Sequence, residues 1–271
     1  WIVALALLGT LGPCVSWGPL THQSVCSFGW LPPTAPNISV HFPSFVLGCS
    51  SPDAFNQNPP VPPPQGWKGN WPLHSFEFAG YQLLYALTAP GDADFDPISF
   101  ALGYGAHLAM DAVAHNPNGF IAVKGPEYEL ELAVDTLEFR NASRFVFFPK
   151  NSAEFVANAT MFYSSKGGPV HYATKNIAEA QSLFDAALHG EDGVLAANFG
   201  YKHELVHHSR YNATSFEQVE TELRLALACS AAASTFWISH LLSSRDVDAA
   251  HQATTTLVDQ WFSQGGLCGH P

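Results

Sequence analysis

The sequence predicts an all-α protein built as a single multi-helix domain, and three observations carry that expectation. Apolar residues recur at helical spacing through long segments, while the alternation that marks strands is scarce. Helix punctuation brackets those segments, including a Ser-x-x-Gln capping box at Ser215 and a terminating Gly190. Of 271 residues, 47% are apolar and 13% charged, enough apolar material for a sizeable core. No internal repeat is visible.

Taken in order, residues 1–16, "WIVALALLGTLGPCVS", carry no charge. The run is too short for a membrane span and reads as a signal peptide incomplete at its start, cut after Ser16. The domain then covers residues 17–271; a buried N-terminal segment is the alternative reading. "PPVPPP", Pro59 to Pro64, marks an exposed loop of polyproline character. Helical patterns follow at His74–Ala89, Ile98–His115, Tyr128–Ala142, Ser152–Ser165, Thr174–Gly190, Ser215–Leu242 and Asp246–Gly266. Pro90 to Pro97 make a turn between the first two.

Four Asn-x-Ser/Thr sequons, at Asn37, Asn141, Asn158 and Asn212, agree with a secreted or lumenal protein. Removal of the leader takes Cys14 with it and leaves Cys26, Cys49, Cys229 and Cys268, an even number suited to an oxidising compartment. Three pairings satisfy four cysteines. Near neighbours favour Cys26–Cys49 with Cys229–Cys268, and reduced core thiols are the alternative. The balance of 23 acidic to 11 basic residues argues against a duplex nucleic acid partner, because phosphate neutralisation needs Lys and Arg. It leaves room for a phosphodiester held by metal ions. No obligate protein partner is evident.

The apolar segment around "GYGAHLAMDAVAHNPNG" poses a chemical problem. His107, Asp111 and His115 are spaced by four, so they drift only about 80° around a helix and share a face. Imidazoles and a carboxylate buried in a row are costly unless paired. A divalent cation removes that cost, since both groups are its natural ligands. One row cannot close a site, and further donors are at hand. His22 lies in "WGPLTH", Asp53 in the short loop "SSPDAF", and His74 before "SFEFAGYQ". Glu127 and Glu131 share a helix face, though such a pair also suits a solvated surface. A rival pattern, "HELVH" at His203–His207, satisfies the H-E-x-x-H rule of zinc metalloproteases, with Glu204 as base. Its polar surroundings and the nearby sequon suit a surface segment instead, with His203, His207 and His208 bordering a substrate cleft as a further reading.

In combination these motifs resemble the zinc-dependent phospholipase C superfamily. This group includes bacterial phospholipases C, the N-terminal domain of glycosylphosphatidylinositol-specific phospholipase D and, more distantly, the single-strand-specific nucleases. "WGPLTH", "SPDAF", "LHSFEFAGYQLL" and "ALGYGAHLAMDAVAHNP" carry the resemblance, which spans roughly Trp17 to Asp135. It implies a cluster of about two to three zinc ions that activates water against a phosphodiester. One ion would be held by Asp53, His74, His107 and Asp111, and a second by His115 with residues of the next helix. A third would take His22, a bridging Asp111 and the backbone amine and carbonyl of Trp17, freed by cleavage. Asp53 is the implied catalytic base or water-orienting group. The second ion usually takes a His where the aligned pair here is Glu127 and Glu131. That departure points to a harder site, or to a catalytically weak binding domain of the same fold. The spacing of Asp111 and His115 favours the phospholipase branch over the nuclease branch. The implied substrate is a phospholipid or other phosphodiester, with contact at a membrane surface; Phe55, Trp67, Trp71 and Phe120 are candidate contacts.

Overall fold

The computed structural model describes residues 19–27, 40–53, 73–116, 118–119, 152–169, 177–178, 181–182 and 213–264. Seven α-helices occur among them and no strand: α1 (Pro19–Ser27), α2 (Phe42–Ser50), α3 (Phe76–Ala86), α4 (Pro97–Ala114), α5 (Ser152–Ser165), α6 (Ala213–Ser244) and α7 (Val247–Ser263). A 3-10 turn, Ser51–Asp53, continues α2. The all-α expectation holds.

Helix α4 is the axis of the fold. Asp96 starts it, accepting a hydrogen bond from the Ser99 amide at 2.9 Å, with Pro97 in the first turn where its missing N–H costs nothing. It stops at His115, two residues before Pro117, because the residue preceding a proline is pushed out of the helical region. Asn116 secures that end, donating to Asp259 Oδ1 on α7 at 2.9 Å. Helices α2, α3 and α6 pack on α4; α1 packs on α2, α5 on α3, and α7 on α6. Gly48 and Gly103 let α2 and α4 approach closely: a Cβ at either would collide with a backbone carbonyl, Phe100 O or Phe45 O respectively. On the other side, Ser234 of α6 donates to Ala106 O at 2.8 Å. Between α3, α4 and α5 the rings of Phe78, Tyr104, Phe100, Phe155 and Tyr163 are all buried and meet edge-on or tilted. Each buries roughly 150–250 Å² of mostly apolar surface, so this cluster dominates the core energetics.

Several boundaries differ from the sequence reading for local reasons. Helix α3 begins at Phe76 because Ser75 is extended and caps it, accepting from the Phe78 amide at 3.1 Å, which leaves His74 in the preceding turn. Helix α6 begins at Ala213, so Ser215 lies inside the helix rather than at its cap. Asp53, expected in a loop, belongs to the 3-10 turn. Helices α1 and α2 were not expected, being only nine residues each and carrying Pro, Ser, Cys or Gly in place of strong helix formers. Residues 226–244 of α6 are apolar and long enough to cross a membrane by length alone, yet half of that window is buried inside the protein, as in a core helix.

Cys26 and Cys49 are disulfide-bonded, joining α1 to α2. Cys229 is also in a disulfide, while Cys14 and Cys268 lie outside the described residues. Asn158 sits half-buried within α5, and the hydroxyl of Thr160 in its sequon is buried and donates to Val156 O at 2.7 Å. Asn37, Asn141 and Asn212 lie outside the described residues, as do Phe55, Trp67, Trp71 and Phe120.

Candidate metal centre

Five buried donors from four segments converge on the C-terminal half of α4. His107 and Asp111 come from α4 itself, His22 from α1, Asp53 from the 3-10 turn after α2, and His74 from the turn before α3. Their ligand atoms form two overlapping groups, His22–His107–Asp111 and Asp53–His74–His107, each with all atoms within 4.8 Å of one another. Asp111 is the hub. Its Oδ1 lies 3.1 Å from His22 Nε2, and its Oδ2 lies 3.2 Å from His107 Nε2 and 3.3 Å from His74 Nε2. Asp53 Oδ1 stands 3.7 Å from His107 Nε2. The His22 ring stacks on His107 with centroids 3.6 Å apart, and His74 meets His107 edge-on.

The tautomer of His107 follows from its neighbours. Its Nδ1 is 2.7 Å from Cys49 O, a carbonyl that can only accept, so Nδ1 carries the proton. Burial pushes the His107 pKa below the ordinary imidazole value, with the His22 charge adding to that, so the ring is neutral and Nε2 holds a lone pair. That lone pair faces carboxylate oxygens and, at 3.1 Å, the Nε2 of His74. Acceptors facing acceptors in a dry interior repel, unless a proton or a metal cation lies among them. Burial likewise lowers His22, against the pull of Asp111. His74 goes the other way: burial opposes its charge, but the hydrogen bond and charge of Asp111, with Asp53, outweigh it. Burial also opposes the charge of Asp111, yet His107 and His22 hold its carboxyl well below the usual carboxylate range.

A metal would displace the proton that His74 favours and leave neutral imidazoles with two carboxylates, a donor set of nitrogen and oxygen that suits zinc and carries the charge one divalent ion neutralises. The residues present fit the metal.

His115 caps α4, its amide bonded to Asp111 O at 2.9 Å, and its charge bears on His22. Its ring belongs to neither close group. Trp17, Glu127 and Glu131 lie outside the described residues, as do His203, Glu204, His207 and His208 of the H-E-x-x-H pattern.

Three supporting groups escaped sequence reasoning. Cys49 acts through a backbone carbonyl, which leaves no sequence signal. Tyr104, one turn before His107, donates to Leu73 O at 2.7 Å and so holds the turn that carries His74. Gln181 donates to Ser51 Oγ at 3.1 Å, and Ser51 in turn donates to Leu47 O, bracing the Asp53 turn.

Compared with known families, residues 21–164 match the model described as zinc dependent phospholipase C, a span that carries all five converging donors and His115. No curated protein and no solved structure gives a significant match.

Proposed function

Because the chain belongs to the zinc-dependent phospholipase C family, we propose that it is a secreted zinc-dependent hydrolase that cleaves phosphodiester bonds in phospholipid-type substrates. The observation that supports this reading is the buried convergence of His22, Asp53, His74, His107 and Asp111, with the His107 lone pair aimed into it by Cys49 O. Zinc bound there supplies a Lewis acid for phosphoryl oxygens and lowers the pKa of a water toward about 7. The protein's own residues do the rest. Asp111 and the three imidazoles would hold the zinc. Asp53, on a turn braced by Ser51 and Gln181, takes the proton of the attacking water and orients it. The dry walls of α2 and α4 keep each of these contacts strong.

Secretion is supported by the uncharged leader and by the Cys26–Cys49 disulfide, a bond that persists in oxidising compartments. Processing after Ser16 then leaves Trp17 as the mature N-terminus, with an α-amine available as a further ligand.

The test is metal content and turnover together. Purified mature protein should carry zinc and release phosphorylated head group or phosphatidate from phosphatidylcholine vesicles. Asp53→Asn keeps a ligand oxygen but loses basicity, so turnover should fall by about 10²–10⁴-fold while most zinc remains. Zinc-free protein, or full turnover in Asp53→Asn, would overturn the reading.

A further inference from the structure

We propose that the Cys26–Cys49 disulfide is a strut of the metal centre, and that Cys49 is its positioning residue. This rests on the metal-site reading above. Four contacts close a ring. His22 and Cys26 lie four residues apart on α1 and so share a face. Cys26 is bonded to Cys49 at the end of α2. The carbonyl of Cys49 accepts the Nδ1 proton of His107 at 2.7 Å. The His107 ring then stacks on His22, centroids 3.6 Å apart. Asp53 follows Cys49 by one turn, so the same residue also anchors the segment that presents the carboxylate.

Among the described residues, few contacts besides those with α2 hold the helix carrying His22 over α4. It packs mainly on α2, and only lightly on α4 and α6. Its distance from Asp111 and His107 is therefore set through α2, and the covalent link between them lies four residues from the ligand. Without the bond, α1 can slide or tilt on α2, and the His22 nitrogen is the first atom to leave the cluster. The carbonyl of Cys49 would lose its fixed place at the same time, loosening the tautomer and aim of His107. Both cysteines are buried, at 3% and 0% exposure, so a thiolate cannot reach the sulfurs without local opening. The bond is thus a fixed brace rather than a redox switch.

The experiment compares wild type, Cys26→Ala/Cys49→Ala, His22→Ala and the triple variant. Zinc affinity is measured by chelator competition, and ligation by the visible absorption of the cobalt-substituted proteins. The double variant should bind zinc about 10–100-fold more weakly, with altered cobalt bands. Adding His22→Ala to it should cost little more, because both changes remove the same ligand. A double variant with wild-type affinity and an unchanged cobalt spectrum overturns the strut while leaving the metal site standing; a wild type that binds no zinc overturns the metal site itself. If the double variant does not fold, wild type decides. Zinc should slow reduction of Cys26–Cys49 by a phosphine, read by alkylation and mass spectrometry, more than it slows reduction of the Cys229 disulfide, which serves as the internal control. Equal protection of both bonds overturns the inference.

Discussion

Tyr104 shows how a residue with no ligand atom at the centre can still set its geometry. Burial, with the nearby charge of Asp53, keeps its phenol well above the ordinary value, so it is a permanent donor. That proton goes to Leu73 O, next to His74. Tyr104→Phe leaves a buried carbonyl without a partner, a loss of about 1–3 kcal/mol in stability. It also frees the His74 turn, so zinc affinity should fall by about tenfold. Thermal melting and chelator competition check the two effects; a variant that melts lower but binds zinc as tightly would limit Tyr104 to packing. Legibility at this scale divides by chemistry. His107 and Asp111 declared themselves through spacing alone, since a helix buried on all sides has no other use for them. His22, Asp53 and His74 are single polar residues in short segments, and only their motif company marked them. The pairing of Cys49 with Cys26 is legible from their nearness in the chain, but the group that orients His107 is the Cys49 carbonyl, and backbone groups are identical in every residue.

Between α2 and α4, two effects of opposite sign meet at Gly103. Replacing a helical Gly by Ala gains about 1 kcal/mol in helix propensity. Here the new Cβ would strike Phe45 O, a backbone atom that no rotamer change can move aside. Such overpacking typically costs about 1–3 kcal/mol, and against backbone the upper end applies. Steric cost wins by about 2 kcal/mol, so Gly103→Ala should lower the melting temperature by roughly 4–8 °C. It should also weaken metal binding by spreading α2, with Asp53, from α4; a variant more stable than wild type would mean that α2 shifts without loss. At the start of α4, Asp96→Ala removes the cap on the Ser99 amide and a second bond to the Ser99 hydroxyl. The expected loss is about 1 kcal/mol, read in denaturant melts, with metal affinity unchanged because the far end of the helix carries the ligands. The longer described helices were legible because their apolar period runs for three turns or more, and Ser152–Ser165 appears over the residues expected, whereas Tyr128–Ala142 and most of Thr174–Gly190 lie outside the described residues. Helices α1 and α2 were not legible. Each is two and a half turns, too short for periodicity, and is held by a disulfide and glycine contact rather than by propensity.

For the molecule as a whole, the centre joins four segments that are far apart in the chain, from His22 to Asp111. A ligand that binds only when those segments are assembled stabilises the assembled state by mass action. Free zinc at 100 times its dissociation constant adds about 2.7 kcal/mol. For a domain of this size each kcal/mol moves the melting temperature by about 2–4 °C, so chelation should lower it by roughly 5–10 °C. The metal-free protein should still fold cooperatively, because the aromatic core between α3, α4 and α5 and both disulfides do not depend on the ion. The gap between loaded and stripped protein should also depend on pH. An imidazole ligates only when its nitrogen is unprotonated, so protons compete with zinc for His22, His74 and His107. As pH falls, stabilisation by zinc then begins to shrink above the ordinary imidazole value, where His74 takes its proton, and goes on shrinking below that value as His22 and His107 follow. Calorimetric melts at several pH values, with zinc content measured before and after chelation, test this directly. A melting temperature that does not move when zinc is removed would mean that the five donors are assembled by the fold alone, and that the repulsion inferred among them is met by protons rather than by a metal.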